Sequence, residues 1–241
     1  MRITILTLFP EMYDSLLNVS IIKRIIENNI AEIKLVNIRD YSLDKHRHVD
    51  DTPYGGSPGM LMKVDVLHRA LLDNKNNNSC VLLTSPKTNP LKQDDLIRFS
   101  KMEDIVIVCG HYEGIDYRFE KYVDEKVSIG DYILTGGELA SMVLVDGILR
   151  LLNDAIKKES LNVESYDNNL LECPQYTRPV EYDGDIVPDV LQNGNHEEIR
   201  KFNLKNALKE TYLYRPDILE KHEFNEEEKE MLGEIIDELQ G

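Results

Sequence analysis

Three loops carry the residue types that could hold a flat, hydrogen-bonding ligand by its edges. The first, Pro53-Tyr-Gly-Gly-Ser-Pro-Gly-Met60, reads as the connection between a strand and a helix and sets Tyr54 beside Gly55, Gly56 and Gly59, and positions without a side chain let a backbone approach a ligand closely. A tight connection with no ligand is the competing reading of such a loop taken alone. The second, Thr84-Ser-Pro-Lys-Thr-Asn-Pro90, follows an apolar run and so falls at the carboxyl end of a strand, where open α/β sheets bind their ligands. The third, Ser128-Ile-Gly-Asp-Tyr-Ile-Leu-Thr-Gly-Gly-Glu-Leu-Ala140, joins an apolar centre to the Gly136-Gly137 pair. That combination can wrap a heterocycle with backbone donors and acceptors, and a plain strand followed by a helix start is its alternative.

Other chemistries are disfavoured. The chain holds no Gly-x-x-x-x-Gly-Lys-Ser/Thr, and no Gly-x-Gly-x-x-Gly follows its first strand, which argues against P-loop and NAD-type Rossmann sites. The stretch His46-Arg-His48-Val-Asp50-Asp51 contains ligand types suited to zinc or iron. No distant His or Glu partners complete that set, so no metal site is expected.

The elements that must position these loops follow from periodicity. Arg2 to Phe9 is a β-branched apolar run closed by Pro10, and Met12 to Ile26 has apolar residues at helical spacing. Ala31 to Ile38 alternates like a strand, Val64 to Leu72 reads as a helix, and Cys80 to Thr84 is a strand stopped by Ser85-Pro86. Lys92 to Phe99 is helical, Asp104 to Cys109 a buried strand, and Gly137 to Leu152 a long apolar helix. Strands alternating with helices predict an α/β domain, a parallel sheet with helices on both faces, over residues 1–159. Residues 160–169 are rich in turn formers and predict a flexible linker. Residues 170–241 carry amphipathic helices at Glu197 to Glu210 and Glu226 to Leu239, predicting a small helical domain.

Composition sets outer limits. Hydrophobic residues are 41% and charged residues 30%, which excludes a chain disordered throughout. No apolar stretch could span a bilayer, and the start has no small-residue cleavage site, so a cytoplasmic protein is expected. Cys80, Cys109 and Cys173 lie far apart and read as reduced thiols. A net charge of -16 counts against a nucleic-acid partner. Half of it, however, lies in residues 217–241, which hold ten acids against Lys221 and Lys229. Basic residues gather at Lys45 to Arg47, at Lys157-Lys158 and between Arg200 and Lys209.

Taken in order, the motifs resemble the bacterial tRNA (guanine-N1)-methyltransferase family of knotted SPOUT methyltransferases. The likeness runs through Leu8-Phe-Pro-Glu-Met12, His46-Arg47, Val49-Asp-Asp51, Pro53-Tyr-Gly-Gly56, Pro58-Gly-Met-Leu-Met62, Cys109-Gly110 and Tyr112-Glu-Gly-Ile-Asp116. It continues through Ser128-Ile-Gly-Asp-Tyr132, Gly136-Gly-Glu-Leu139, Cys173-Pro174, Tyr176-Thr-Arg-Pro179, Gly194-Asn-His196 and Ile199-Arg200.

The resemblance implies a deep trefoil knot at the Gly110 loop and the Ile129 to Leu139 region, closing the first domain. S-adenosylmethionine would contact Thr84, Ser85, Pro86, Gly110, Glu113, Ser128, Ile129, Gly130, Asp131, Tyr132, Ile133, Leu134, Gly136 and Gly137. The substrate would be the guanosine just 3′ of the anticodon of tRNA, methylated at N1 to guard the reading frame. A homodimer would complete the site at the subunit interface. Tyr54, Gly55, Gly56 and Gly59, with His196, Arg200 and Lys205 on the anticodon arm, would bind the RNA. The family also implies magnesium dependence, although no dedicated cage is readable here.

N1 of guanine is a poor nucleophile until its proton leaves, so a general base is required, and a guanidinium should steady the charge that builds on O6. Arg150 matches the family's arginine. A helix-end arginine that bonds carbonyls is the alternative. The base departs from the pattern: an Asp-Ser pair reads Glu164-Ser165 here, with Asp167 a competing carboxylate. Both acids could equally be solvated linker residues. The Pro-Gly pair usual after the arginine is replaced by Asn153-Asp154. Two further readings stand behind this one, a tRNA-binding protein of the same fold without catalysis and a His/Asp metal hydrolase.

Overall fold

The computed structural model describes residues 1–153, 165–166 and 169–240. It divides into two compact units, Met1–Ile156 and Lys157–Gly241.

The first unit is a five-stranded parallel sheet. Its strands are β1 (Arg2–Thr7), β2 (Glu32–Asn37), β3 (Cys80–Thr84), β4 (Asp104–Cys109) and β5 (Glu125–Val127), in the order β2-β1-β4-β3-β5. Every residue of β4 is buried, and β1 is buried from Ile3 onward. Parallel strands covered on both faces need unbroken apolar runs, which is what these sequences are. Burying each of Ile105, Val106, Ile107 and Val108 completely contributes about 1.5–3 kcal/mol relative to exposure.

One face is packed by α1 (Ser20–Glu27), α3 (Gln93–Phe99) and α4 (Glu138–Leu149), which contribute Ile22, Ile25, Phe99, Leu144, Val145 and Ile148. The other is packed by α2 (Val64–Asn74) through Val66, Leu67, Ala70 and Leu71. At the amino end of β4, Asp104 is almost fully buried and accepts from Arg2 Nε at 2.6 Å and Nη2 at 3.0 Å, from Asn76 at 2.9 Å, and from the Ser79 hydroxyl. Burial alone would raise its pKa, but the hydrogen bonds from Arg2 and Ser79 outweigh that and hold the carboxyl below its ordinary value.

Several expectations need correction. The helix expected over Met12 to Ile26 is broken into a 3-10 turn at Pro10–Tyr13, one helical turn at Asp14–Leu17, and α1. The break falls where Val19 is extended and Ser20 has φ of 53°, because apolar periodicity alone does not register a local stop at Asn18. The Pro53–Met60 loop does not lead from a strand to a helix. It is the tip of a short hairpin formed by Asp50–Asp51 and Leu61–Met62.

In the second unit, α5 (His196–Tyr214) packs against α6 (Glu226–Gln240) around Leu208, Leu219 and Ile235. Asn195 caps α5 by accepting from the Glu197 and Glu198 amides. This unit is not helical throughout, since Glu181–Tyr182 and Asp185–Ile186 form a small antiparallel hairpin. Among the described residues no helix is long and apolar enough to cross a membrane.

Candidate active site

The site is assembled at the carboxyl ends of β3, β4 and β5, where the second and third loops meet the segment after Cys109. Thr84 ends β3, and its hydroxyl donates to Val108 O and accepts from the Gly110 amide, both at 3.3 Å. The Gly137 amide in turn donates to Gly110 O at 2.7 Å. A Cβ on Gly137 would stand 1.9 Å from Thr84 Oγ1 and 3.0 Å from Gly110 N, so the approach is open to glycine alone. Three stretches far apart in the chain are thereby locked together, Thr84 through its hydroxyl and the two glycines through their backbones.

The rest of the third loop is tied to the second. Ser85 N donates to Val127 O at 2.9 Å and Leu91 N to Ser128 O at 2.8 Å. Ser128 Oγ bonds both the amide and the carbonyl of Gly130 at 3.2 Å, and Tyr132 OH reaches Ile129 O at 3.3 Å. Beyond this scaffold Asp131, Tyr132, Ile133 and Leu134 are exposed, with Ile133 at 81%. Apolar side chains held outward on a hydrogen-bonded loop can cover the face of a heterocycle, while free backbone groups meet its edge.

The first loop joins through the Tyr112–Asp116 segment. Glu113 N donates to Met60 O at 3.1 Å, Met62 N to Gly114 O at 2.9 Å, and Asp116 N to Met62 O at 3.0 Å. Gly59 lies against the Glu113 side chain. Tyr54 is fully exposed at the hairpin tip, beside the exposed Gly55 and Gly56.

Beneath the loops lies a polar cluster that sequence reasoning missed. Glu138, the first residue of α4, is 2% exposed and accepts from Thr7 Oγ1 at 2.9 Å. His111 Nδ1 stands 3.7 Å from its other oxygen. One helical turn on, Ser141 bonds Tyr13 OH, which also contacts Cys109 Sγ at 3.4 Å. Burial drives the Tyr13 phenol well above its ordinary range and pushes the Cys109 thiol up to about 12. Cys109 therefore stays protonated near neutrality and is no nucleophile. The signal available in the sequence was one acid set into the apolar run of α4.

Arg150 caps the other end of α4, its amide bonded to Asp146 O at 3.1 Å. The helix is 12 residues long, about 18 Å at the usual rise per residue. An arginine side chain does not cover that distance, so the structure does not bring Arg150 to the glycine loops of its own chain. Glu164, Asp167 and Asp154 lie outside the described residues.

In the second unit, His196 is the exposed first residue of α5. Arg200 is bidentate to Glu197, Nε at 3.1 Å and Nη2 at 2.9 Å, and its Nη2 also reaches both Glu227 oxygens at 2.8 and 2.9 Å, pairings that raise its pKa. Lys205 bonds Glu234 at 2.8 Å and Glu238 at 2.9 Å. The basic face expected there is thus matched by acids, mainly from α6. Elsewhere, His48 pairs with Asp44 at 2.6 Å, and among the described residues no three His, Cys, Asp or Glu side chains gather to hold a metal ion.

The family model for tRNA (guanine-1)-methyltransferase TrmD matches residues 1–221. The tRNA (guanine-N(1)-)-methyltransferase of Syntrophomonas wolfei is 51% identical over 237 residues, covering 98% of this chain and 97% of that protein. The protein of the same name from Dictyoglomus turgidum is 45% identical over 240 residues, with 99% and 98% covered. That of Fusobacterium nucleatum is 47% identical over 236 residues, with 98% of both covered.

Proposed function

The chain belongs to the tRNA (guanine-1)-methyltransferase TrmD family, and from that premise we propose that it moves a methyl group from S-adenosylmethionine to N1 of guanosine 37 in tRNA. It does so in the cytoplasm, as a homodimer, and the modification keeps the reading frame. The observation that carries the reading is the lock between Thr84, Gly110 and Gly137, which draws three distant loops together at the strand ends.

The residues present fit the donor. Thr84, Ser85, Pro86, Gly110 and Glu113 would border it on one side, and the Ser128 to Gly137 loop would wrap it with backbone groups and the Ile133 and Leu134 side chains. The two segments closing over one another are the part of the chain that a trefoil knot would thread. S-adenosylmethionine supplies an electrophilic methyl group on a sulfonium centre. The chain's own work is to bring guanine to that group, take the N1 proton on Glu164, and stabilise the developing O6 charge with Arg150. Asp167 is the competing base. With its proton on Glu164, N1 would have a lone pair free to take that methyl group, the donor being left as a neutral thioether. No step is assigned to magnesium.

Two features support a homodimer. Arg150 stands about 18 Å along α4 from the loops, so a partner subunit would supply it. Helix α4 is apolar over most of its length, and Leu139 and Val143, one turn apart, are 49% and 50% exposed on the side that also carries Asp146. Large apolar side chains exposed together on one helix mark a face that a partner can cover. The second unit, the RNA-binding domain after a linker at 160–169, would contribute His196, Arg200 and Lys205 to the anticodon arm, phosphates taking the place of the α6 carboxylates. Tyr54 and the glycines of its hairpin would meet the target nucleotide.

Mass-spectrometric mapping of tRNA incubated with protein and donor tests substrate, reaction and position together; methylation absent, or at another atom, overturns the reading. Mixing Arg150→Ala protein with Gly137→Ala protein tests the shared site. Two inactive homodimers should regain turnover on subunit exchange, because one of the two sites in the mixed dimer is intact.

A further inference from the structure

The first unit buries one acid that the transfer chemistry does not use. Glu138 follows the Gly136-Gly137 pair directly, 2% exposed, with one oxygen bonded to Thr7 Oγ1. Its second oxygen faces His111 Nδ1 across 3.7 Å, too long for a hydrogen bond. That nitrogen is buried and has no hydrogen-bond partner among the described residues, a condition that costs free energy until a partner is found. The imidazole is hemmed in, tilted against Phe9 at 5.1 Å and edge-on to Tyr112 at 4.9 Å between ring centres.

The gap lies on the seam between two loops. His111 and Gly136 form an antiparallel bridge, and Gly137 bonds Gly110 next to it. A Cβ on Gly136 would fall 2.3 Å from His111 Nδ1 and 2.4 Å from Glu138 Oε2. The pair therefore fills the space a side chain would need. Thr7, the last residue of β1, ties the seam to the sheet, and its hydroxyl also accepts from the Phe9 amide at 3.0 Å. Shortening the gap by less than 1 Å would satisfy the nitrogen and fix the register of both loops.

We propose that Thr7, Glu138 and His111 form a positioning relay under the methyl-donor loops, in which His111 Nδ1–H closes onto Glu138 when the donor settles against Gly110 and Gly136-Gly137. The proposal rests on reading those loops as the donor site. The three residues act through the loop backbone rather than on the reacting atoms, so their loss weakens donor binding and leaves the transfer step intact.

The test uses the full-length protein, calorimetric binding of S-adenosylmethionine, and steady-state methylation of tRNA. Glu138→Ala and His111→Phe should each raise the donor Kd and KM about tenfold or more, the scale of one hydrogen bond to a charged group. At saturating donor, kcat should stay within about twofold of the parent, as expected when uniform binding is lost. Glu138→Gln keeps an acceptor, and in His111→Asn the amide nitrogen can stand where Nδ1 stands, so both should recover most of the affinity. Nitrogen NMR of labelled histidine should show the His111 Nδ1 signal move on adding donor to the parent protein and stay still in Glu138→Ala. Should Glu138→Ala fail to fold, the two His111 variants decide the matter. An unchanged Kd in His111→Phe, or a fall in kcat with KM unmoved, overturns the relay. The binding measurements read the relay even if the parent methylates no tRNA, which would overturn the proposed function alone; a parent that binds no donor overturns both.

Discussion

The rim of the first unit and the basic face of α5 in the second are held by opposite kinds of contact. At the rim, Thr84, Gly110 and Gly137 meet through neutral groups, one hydroxyl and the glycine backbones, at distances that leave no room for a further side chain. On α5, Arg200 and Lys205 are held by exposed carboxylates of Glu227, Glu234 and Glu238. A backbone packed this closely has little room to rearrange, and a ligand can ask of it no more than the sub-ångström closure proposed between His111 and Glu138. Exposed ion pairs are weak and interchangeable, so an arriving phosphate can take over the cation at little cost. The proposed donor site is thus built in advance, whereas the proposed RNA face is built to be exchanged.

The sharpest way to break this contrast is Arg150→Ala. As a transition-state donor it should matter far more than any exposed cation of α5, lowering single-turnover methylation by about two to three orders of magnitude. A loss as mild as that of Arg200→Ala would return Arg150 to a helix-capping role. Next in size, Gly137→Ala forces a methyl into Thr84 Oγ1. Overpacking of this kind costs about 1–3 kcal/mol, to be read as a lower melting temperature together with lost donor binding by calorimetry. Unimpaired binding would show that the rim is plastic.

Asp104→Asn probes the opposite end of the same sheet. The folded-state pKa of Asp104 lies below its ordinary value of 3.8, so its stabilisation is complete above that value and is lost as pH falls through the lower, folded one. The variant should lose about 1–3 kcal/mol near neutrality and show a shallower acid-side fall in stability, measured by denaturant titration from neutral pH downward. The smallest effect belongs to the exchangeable face: Glu227→Gln loosens Arg200, leaving Glu197 as its one charged partner among the described residues, and should tighten tRNA binding about two- to fivefold, with donor affinity unmoved. Weaker tRNA binding in that variant would mean that the ion pair organises the face.

The sheet was legible because buried parallel strands are written as unbroken apolar runs, and β3 and β4 fall where Cys80 to Thr84 and Asp104 to Cys109 predict. The three-residue strand β5 was not anticipated, since Glu125 and Lys126 carry no apolar signal and pairing with β3 alone makes them a strand. Of the loops proposed for the donor, Ser128 to Ala140 was marked by its glycines and Thr84 to Pro90 by its place after an apolar run. What the sequence could not display was why Gly137 is there, because Thr84 and Gly110 meet it only in three dimensions. Thr7, His111 and Glu138 escaped for the same reason: 131 positions separate the threonine from the acid it bonds. On α5 the basic residues were visible, but their pairing with an acidic helix some thirty positions later was hidden by the tertiary fold.

The Thr84, Gly110 and Gly137 lock also bears on how the chain acquires its shape. Its contacts span 26 residues between Thr84 and Gly110, and closing loops of that size comes at an entropic cost before the contact can reward it. None of the three can be presented until β3 and β4 have paired and α4 has docked on them. Competence to bind the donor should consequently lag behind recovery of the far-ultraviolet signal during refolding, making the newly made enzyme compact before it is able to work.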